Sequence, residues 1–153
     1  MRWLDAAEQR AWRSFLGATR LLFHELDREL QRDAGMPHAY YEILARLSEA
    51  PDRALRMGQL AEATLTSPSR ISHAVARLEA AGWVRRESCG DDRRGAFAQL
   101  TDEGMQVLEA AAPGHVRAVR AHLVDQLTPA EFAELGAICT KVLNRLEQLR
   151  RHP

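Results

Sequence analysis

Cysteine is scarce in this 153-residue chain: Cys89 and Cys139 are the only two. That is too few for a disulfide framework or a four-thiolate zinc site. Lysine is scarcer still, because the 21 basic residues are 20 arginines and Lys141. They meet 21 acidic residues, so the formal net charge is zero. A neutral chain lacks the broad positive field that marks many nucleic-acid binders, and any such role must come from charge placement. Long apolar runs are missing as well. None approaches the roughly 18 residues that span a bilayer, so no membrane partner is expected. The opening Met1-Arg2-Trp3-Leu4-Asp5 lacks the apolar stretch of a signal peptide, and a cytoplasmic location is the expectation. A Gly-rich phosphate loop, a nucleophile elbow and a paired-histidine motif are all absent, so no enzyme is expected. His73 beside Ser72 is not by itself a triad. His115 and His122 share a helical face, with His24 and His38 elsewhere, but no tight ligand cluster forms; neither a metal nor another cofactor is expected.

What is present is an ordinary globular composition, 46% hydrophobic and 27% charged. It suits a single domain over residues 1–153. Trp12, Phe15, Leu16, Thr19, Leu22, Phe23, Leu26 and Leu30 recur at three- and four-residue steps, which predicts a long amphipathic helix over residues 5–32. A second helix carries Tyr40, Ile43, Leu44 and Leu47, and a short third carries Met57, Leu60 and Ala61. Ser67, a good N-cap, and Pro68, suited to a first helical turn, open a fourth that Gly82 ends. Two extended runs, 83–87 and 96–100, flank a polar Gly-bounded loop of hairpin character. Thr101-Asp102-Glu103 opens a fifth helix that Pro113-Gly114 should kink. Thr128 to Glu131 is a capping box, and Leu135, Cys139, Val142, Leu146 and Leu149 step 4, 3, 4, 3 along a last helix as a heptad seam. The fold class is therefore mainly α with a small β-hairpin wing (α+β).

Two helices joined by a tight turn and followed by a hairpin make a winged helix-turn-helix, whose second helix enters a major groove. The charges are placed to match. Residues 53–94 hold eight arginines against five acids, +3, while the remainder holds 13 basic and 16 acidic residues, −3. Arg70, His73 and Arg77 share one face of the fourth helix, opposite Ile71, Val75 and Leu78. Ser67 and Ser69 sit at its start, where hydroxyls and free N–H groups hold phosphate. A merely solvated face is the alternative. The arginine bias fits phosphate and guanine recognition through the rigid guanidinium fork, although a GC-rich codon preference is the plainer cause.

These residues resemble the MarR family of bacterial transcription regulators. The resemblance rests on Leu60-Ala61, on Leu78-Glu79 with Gly82 and Val84-Arg85-Arg86, and on Asp92-Arg93-Arg94-Gly95 followed by Leu100-Thr101 and Gly104. It implies a winged helix-turn-helix over 53–100, with dimerisation helices from both termini, 5–50 and 101–150. It implies that Arg94 reaches into a minor groove, that Asp92 braces an arginine, that Arg93 meets phosphate, and that Arg70, His73 and Arg77 face the major groove. The implied partners are double-stranded DNA bearing a pseudo-palindromic operator, a second copy paired through the Leu135 to Leu149 seam, and a small-molecule effector, aromatic or phenolic. Trp12, His38 and Tyr41 are candidates for the effector pocket, with plain core packing as the alternative. The implied activity is that of a repressor released by its effector. Two other readings stay open: redox sensing through Cys89, whose arginine-rich surroundings favour a thiolate, and a helical interaction module without DNA binding.

Overall fold

Helix α1, Ala6–Ala34, opens on Asp5, whose carboxylate accepts the Ala7 and Glu8 N–H groups at 2.8 Å while the Glu8 side chain accepts the Asp5 N–H at 2.9 Å. This reciprocal box satisfies donors that a helix start otherwise leaves bare. Gly35, at φ +66, ends α1 in the left-handed conformation that glycine adopts at least cost. Helix α2, His38–Glu49, begins three residues later, and Asp27 of α1 accepts its first N–H at 2.8 Å. The computed structural model describes residues 1–87 and 96–151.

A 3-10 turn, Pro51–Arg53, leads into strand β1, Ala54–Arg56. Helices α3, Met57–Ala63, and α4, Pro68–Ala80, follow, then strands β2, Val84–Glu87, and β3, Phe97–Leu100. The sheet is antiparallel in the order β1-β3-β2, with Leu55 opposite Ala98 and Arg86 opposite Ala98 on the other side. β1 is a correction to the two-stranded hairpin expected from sequence. Ala54-Leu55-Arg56 is too short to show alternation, and its partner lies over forty residues along the chain.

Helix α5 runs Asp102–His122 with Pro113 inside it. Pro113 has no N–H to donate to the Glu109 carbonyl one turn earlier. A 3-10 turn, Val124–Gln126, and helix α6, Pro129–Arg151, complete the chain.

The chain forms two units, Met1–Val116 and Arg117–Pro153. In the first, one continuous core joins α1 to the early part of α5: Leu30, Leu44, Leu47, Leu60, Ile71, Val75, Leu78, Val84, Ala98, Leu100 and Leu108 are buried together. The inward stripe of α4 (Ile71, Val75, Leu78) is the one the sequence spacing requires. In the second unit Thr128 and Glu131 form their capping box, with the Thr128 N–H donating to the Glu131 carboxylate at 2.8 Å and the Glu131 N–H returning to the Thr128 hydroxyl at 3.3 Å. The Thr128 N–H, and then the Thr128 hydroxyl donating to the same carboxylate at 2.8 Å, hold the Glu131 carboxyl below its usual range.

Candidate nucleic-acid interface

The turn between α3 and α4 is closed by its own polar groups. The Thr64 hydroxyl donates to the Leu60 carbonyl at 2.8 Å, and the Thr66 N–H donates to the Ala61 carbonyl at 2.9 Å. Leu65 takes φ +51, a conformation that a non-glycine residue adopts only when its surroundings demand it. Its side chain is exposed while the buried Thr64 anchors the turn beneath it. α4 then starts at Pro68 behind the Ser67 cap, whose hydroxyl accepts the Arg70 N–H at 3.4 Å.

Because Ile71, Val75 and Leu78 face the core, the opposite face of α4 is left to solvent. Ser67, Ser69, Arg70, His73 and Arg77 are all exposed there, and no acid stands in the first turn. Among the described residues, no hydrogen bond or ion pair engages the side chains of Arg70, His73 or Arg77. Two guanidiniums with no partner among the described residues thus share one face near a helix start whose Arg70 N–H is already capped by Ser67.

The other described arginines of the basic stretch are engaged within the fold. Arg53 pairs with Asp102 at 3.1 Å. Arg85 pairs with Glu87 at 2.8 Å and donates to Gln99 at 2.6 Å. Arg86 donates to the Ser72 carbonyl of α4 at 2.6 Å and lies 3.6 Å from the Glu79 carboxylate. Arg56 stands over the Phe97 ring, 4.9 Å from its centroid, in cation–π geometry. Of these pairs, Arg85–Glu87 and Arg86–Glu79 are already cancelled within the +3 read from the sequence, and only Arg53–Asp102 draws on an acid outside residues 53–94. Asp92, Arg93 and Arg94, together with Cys89, lie outside the described residues.

A second site lies where α2 meets α5. A cleft of about 280 Å³ is lined by His38, Tyr41, Glu42, Arg46, Glu49 and His115, among others. The His115 ring packs 4.3 Å from Tyr41 and 5.4 Å from His38, and Phe23 meets His38 edge-on at 5.6 Å. Burial first, then the neighbouring His38, holds the His115 imidazole below its usual range. Burial, aided by the Glu49 charge, pushes the Tyr41 phenol up. Of the three residues expected at a pocket, the structure brings His38 and Tyr41 together. Trp12 is not in that cleft; it is half-exposed on α1, stacked with Phe15 at 6.2 Å. His115 was missed, because only the packing of α5 on α2 reveals it.

On α6, Leu135 is half-buried while Cys139, Val142, Leu146 and Leu149 are exposed. Phe132, Ile138 and Leu143 are exposed beside them and widen the apolar face beyond the seam read from sequence.

A MarR family sequence model matches residues 34–95, a stretch that holds α2, β1, α3, α4 and β2. Sco3205, a MarR family transcriptional regulator from Streptomyces coelicolor solved in complex with DNA, is 56% identical, with a TM-score of 0.92 over 95% of this chain and 91% of its own. The transcriptional regulator PecS of Dickeya dadantii is 32% identical over 108 residues, 69% of this chain and 64% of its own length, slightly under two thirds. The transcriptional repressor MprA of Escherichia coli is 25% identical over 139 residues, 87% of this chain and 78% of its own. With a helix-turn-helix, a three-stranded wing sheet and a 56% identical relative matched almost end to end, the chain belongs to the MarR family of transcriptional regulators.

Proposed function

We propose that this chain is a transcriptional repressor that binds double-stranded DNA as a homodimer and is released by a small aromatic effector. The observation that carries the DNA reading is the outer face of α4, where Arg70, His73 and Arg77 stand exposed and, among the described residues, unpartnered above a serine-capped helix start. An unneutralised arginine face has its full charge available for phosphate, and its forks fit guanine edges in a major groove. Sco3205, 56% identical, was solved in complex with DNA, which supports the same partner here. Arg94 enters the minor groove, Asp92 braces it and Arg93 meets phosphate in this reading. The name of MprA supports repression rather than activation.

Pairing follows from α6. Val142 and Leu146 each leave 52% of their surface open, a cost that a second copy of the same face removes. The effector reading follows from the cleft, which offers a ring wall (Tyr41, His115, His38) and one cation, Arg46, which a ligand carboxylate would share with Glu49 3.9 Å away. Selection from a random duplex library tests the function as a whole. The expected product is an inverted repeat with half-site centres about 34–36 Å apart, one helical turn. Failure to enrich any sequence would contradict the proposal.

A further inference from the structure

Arg86 and Glu79 form a polar link between strand β2 and α4. In the order β1-β3-β2, β2 is an edge strand, so its outward N–H groups have no strand to bond. Glu79, near the end of α4, accepts the outward Arg86 N–H at 3.1 Å. The Arg86 side chain then turns back along α4. Its guanidinium donates to the Ser72 carbonyl at 2.6 Å, using the second lone pair that a helix carbonyl keeps after its i+4 bond. Its Nε, buried and without a hydrogen bond, lies 3.6 Å from the Glu79 carboxylate. One side chain thus grips α4 at two points almost two turns apart, and the grip is made by a rigid planar fork rather than by a flexible ammonium.

We propose that Arg86 is a positioning residue that sets how β2 sits against α4, so that helix and wing meet DNA in fixed register, and that it makes no phosphate contact itself. The proposal rests on the reading that α4 and the wing bind DNA. Its physical content is a division of labour among arginines. Among the described residues Arg70 and Arg77 have their charge free; Arg86 has its charge matched by Glu79, its backbone N–H bonded to Glu79 and one guanidinium N–H bonded to the Ser72 carbonyl. Specific recognition needs two elements placed together on one site, whereas non-specific binding needs only charge. Loss of Arg86 should therefore lower specificity and leave the electrostatic component alone.

The test compares wild type with Arg86→Ala and Glu79→Gln on two probes. One is the duplex that wild type recovers from a random library; the other is a shuffled duplex of the same composition. Arg86→Ala is expected to weaken binding to the selected duplex about tenfold or more, to leave the shuffled duplex within about twofold, and to keep the wild-type slope of log K against log salt. Glu79→Gln is expected to act in the same direction, and the double variant to lose less than the product of the two single losses, because both break one link. A shallower salt slope with equal losses on both probes would overturn the proposal in favour of a direct phosphate contact. Unchanged affinity for the selected duplex, or multiplicative losses in the double variant, would overturn it also. Where Arg86→Ala fails to fold, Arg86→Lys keeps the charge but loses the fork, and the same comparison applies. If wild type itself does not prefer the selected duplex, the proposed function fails first, which separates the two outcomes.

Discussion

The carbonyl oxygen of Trp83 would lie only 2.1 Å from a Cβ placed on Gly104. That carbonyl also accepts the Thr101 N–H at 3.0 Å, and the Thr101 hydroxyl is bonded to the Gly82 carbonyl at 2.7 Å and to the Gly104 N–H at 3.0 Å. The first turn of α5 is thus packed directly on the backbone that enters β2, and only glycine permits the approach. Gly104→Ala is expected to cost about 1–3 kcal/mol, because backbone must move to admit the methyl group. Gly58→Ala, where a Cβ meets nothing within 4 Å, is expected to be neutral or slightly stabilising. Urea unfolding of both variants checks the pair.

Stability should fall on mild acidification through His115. Its imidazole is held below the usual range in the fold by burial and by His38, so it is neutral there while the unfolded chain binds a proton. Stability is then fully present above the unfolded value of about 6.5 and is lost as pH falls from there through the folded value. Of the groups around His115, His38 adds repulsion once charged, while Glu42, Glu49 and Arg46 line the same cleft. Urea midpoints at pH 7.5 and 5.5 should converge more in His115→Gln than in wild type. An equal drop in both proteins would place the titration elsewhere.

The exposed face of α6 gives a prediction about assembly. Val142→Glu with Leu146→Glu puts two charges where a partner's apolar face would sit, and burying an unpaired charge costs several kcal/mol. Light scattering should report a dimer for wild type and a monomer for the variant. A dimeric variant would mean that another surface pairs the chains.

Ligand binding in the cleft should be visible as stabilisation. A phenolic acid at about 100 times its Kd adds about 2.7 kcal/mol to a protein that binds it only when folded. The expected pattern is a rise in Tm with aromatic carboxylates, lost in Arg46→Ala and kept in Trp12→Ala, since Trp12 is outside this cleft. Protection that persists in Arg46→Ala would move the ligand site.

Much of this arrangement is legible in the sequence because it is local. The Ser67 cap, Pro68 and the Ile71, Val75, Leu78 spacing place α4 within a residue of its observed bounds and fix which face it shows. The Thr128 box likewise depends on residues three apart. What escaped is non-local. β1 exists only because β3 pairs with it. His115 joins His38 and Tyr41 only when α5 packs on α2. The pairing of Arg53 with Asp102 brings in an acid from outside the basic stretch, which a count along that stretch leaves out.

In the proposed function α4 carries the positive charge that holds DNA. The most direct measurement is the salt dependence of binding to the selected duplex for wild type and for Arg70→Ala/Arg77→Ala. The double variant should remain dimeric, bind at least about tenfold more weakly, and show a slope shallower by about 0.9 for every phosphate contact it has lost. Equal affinity and an unchanged slope in a folded, dimeric variant would contradict the account.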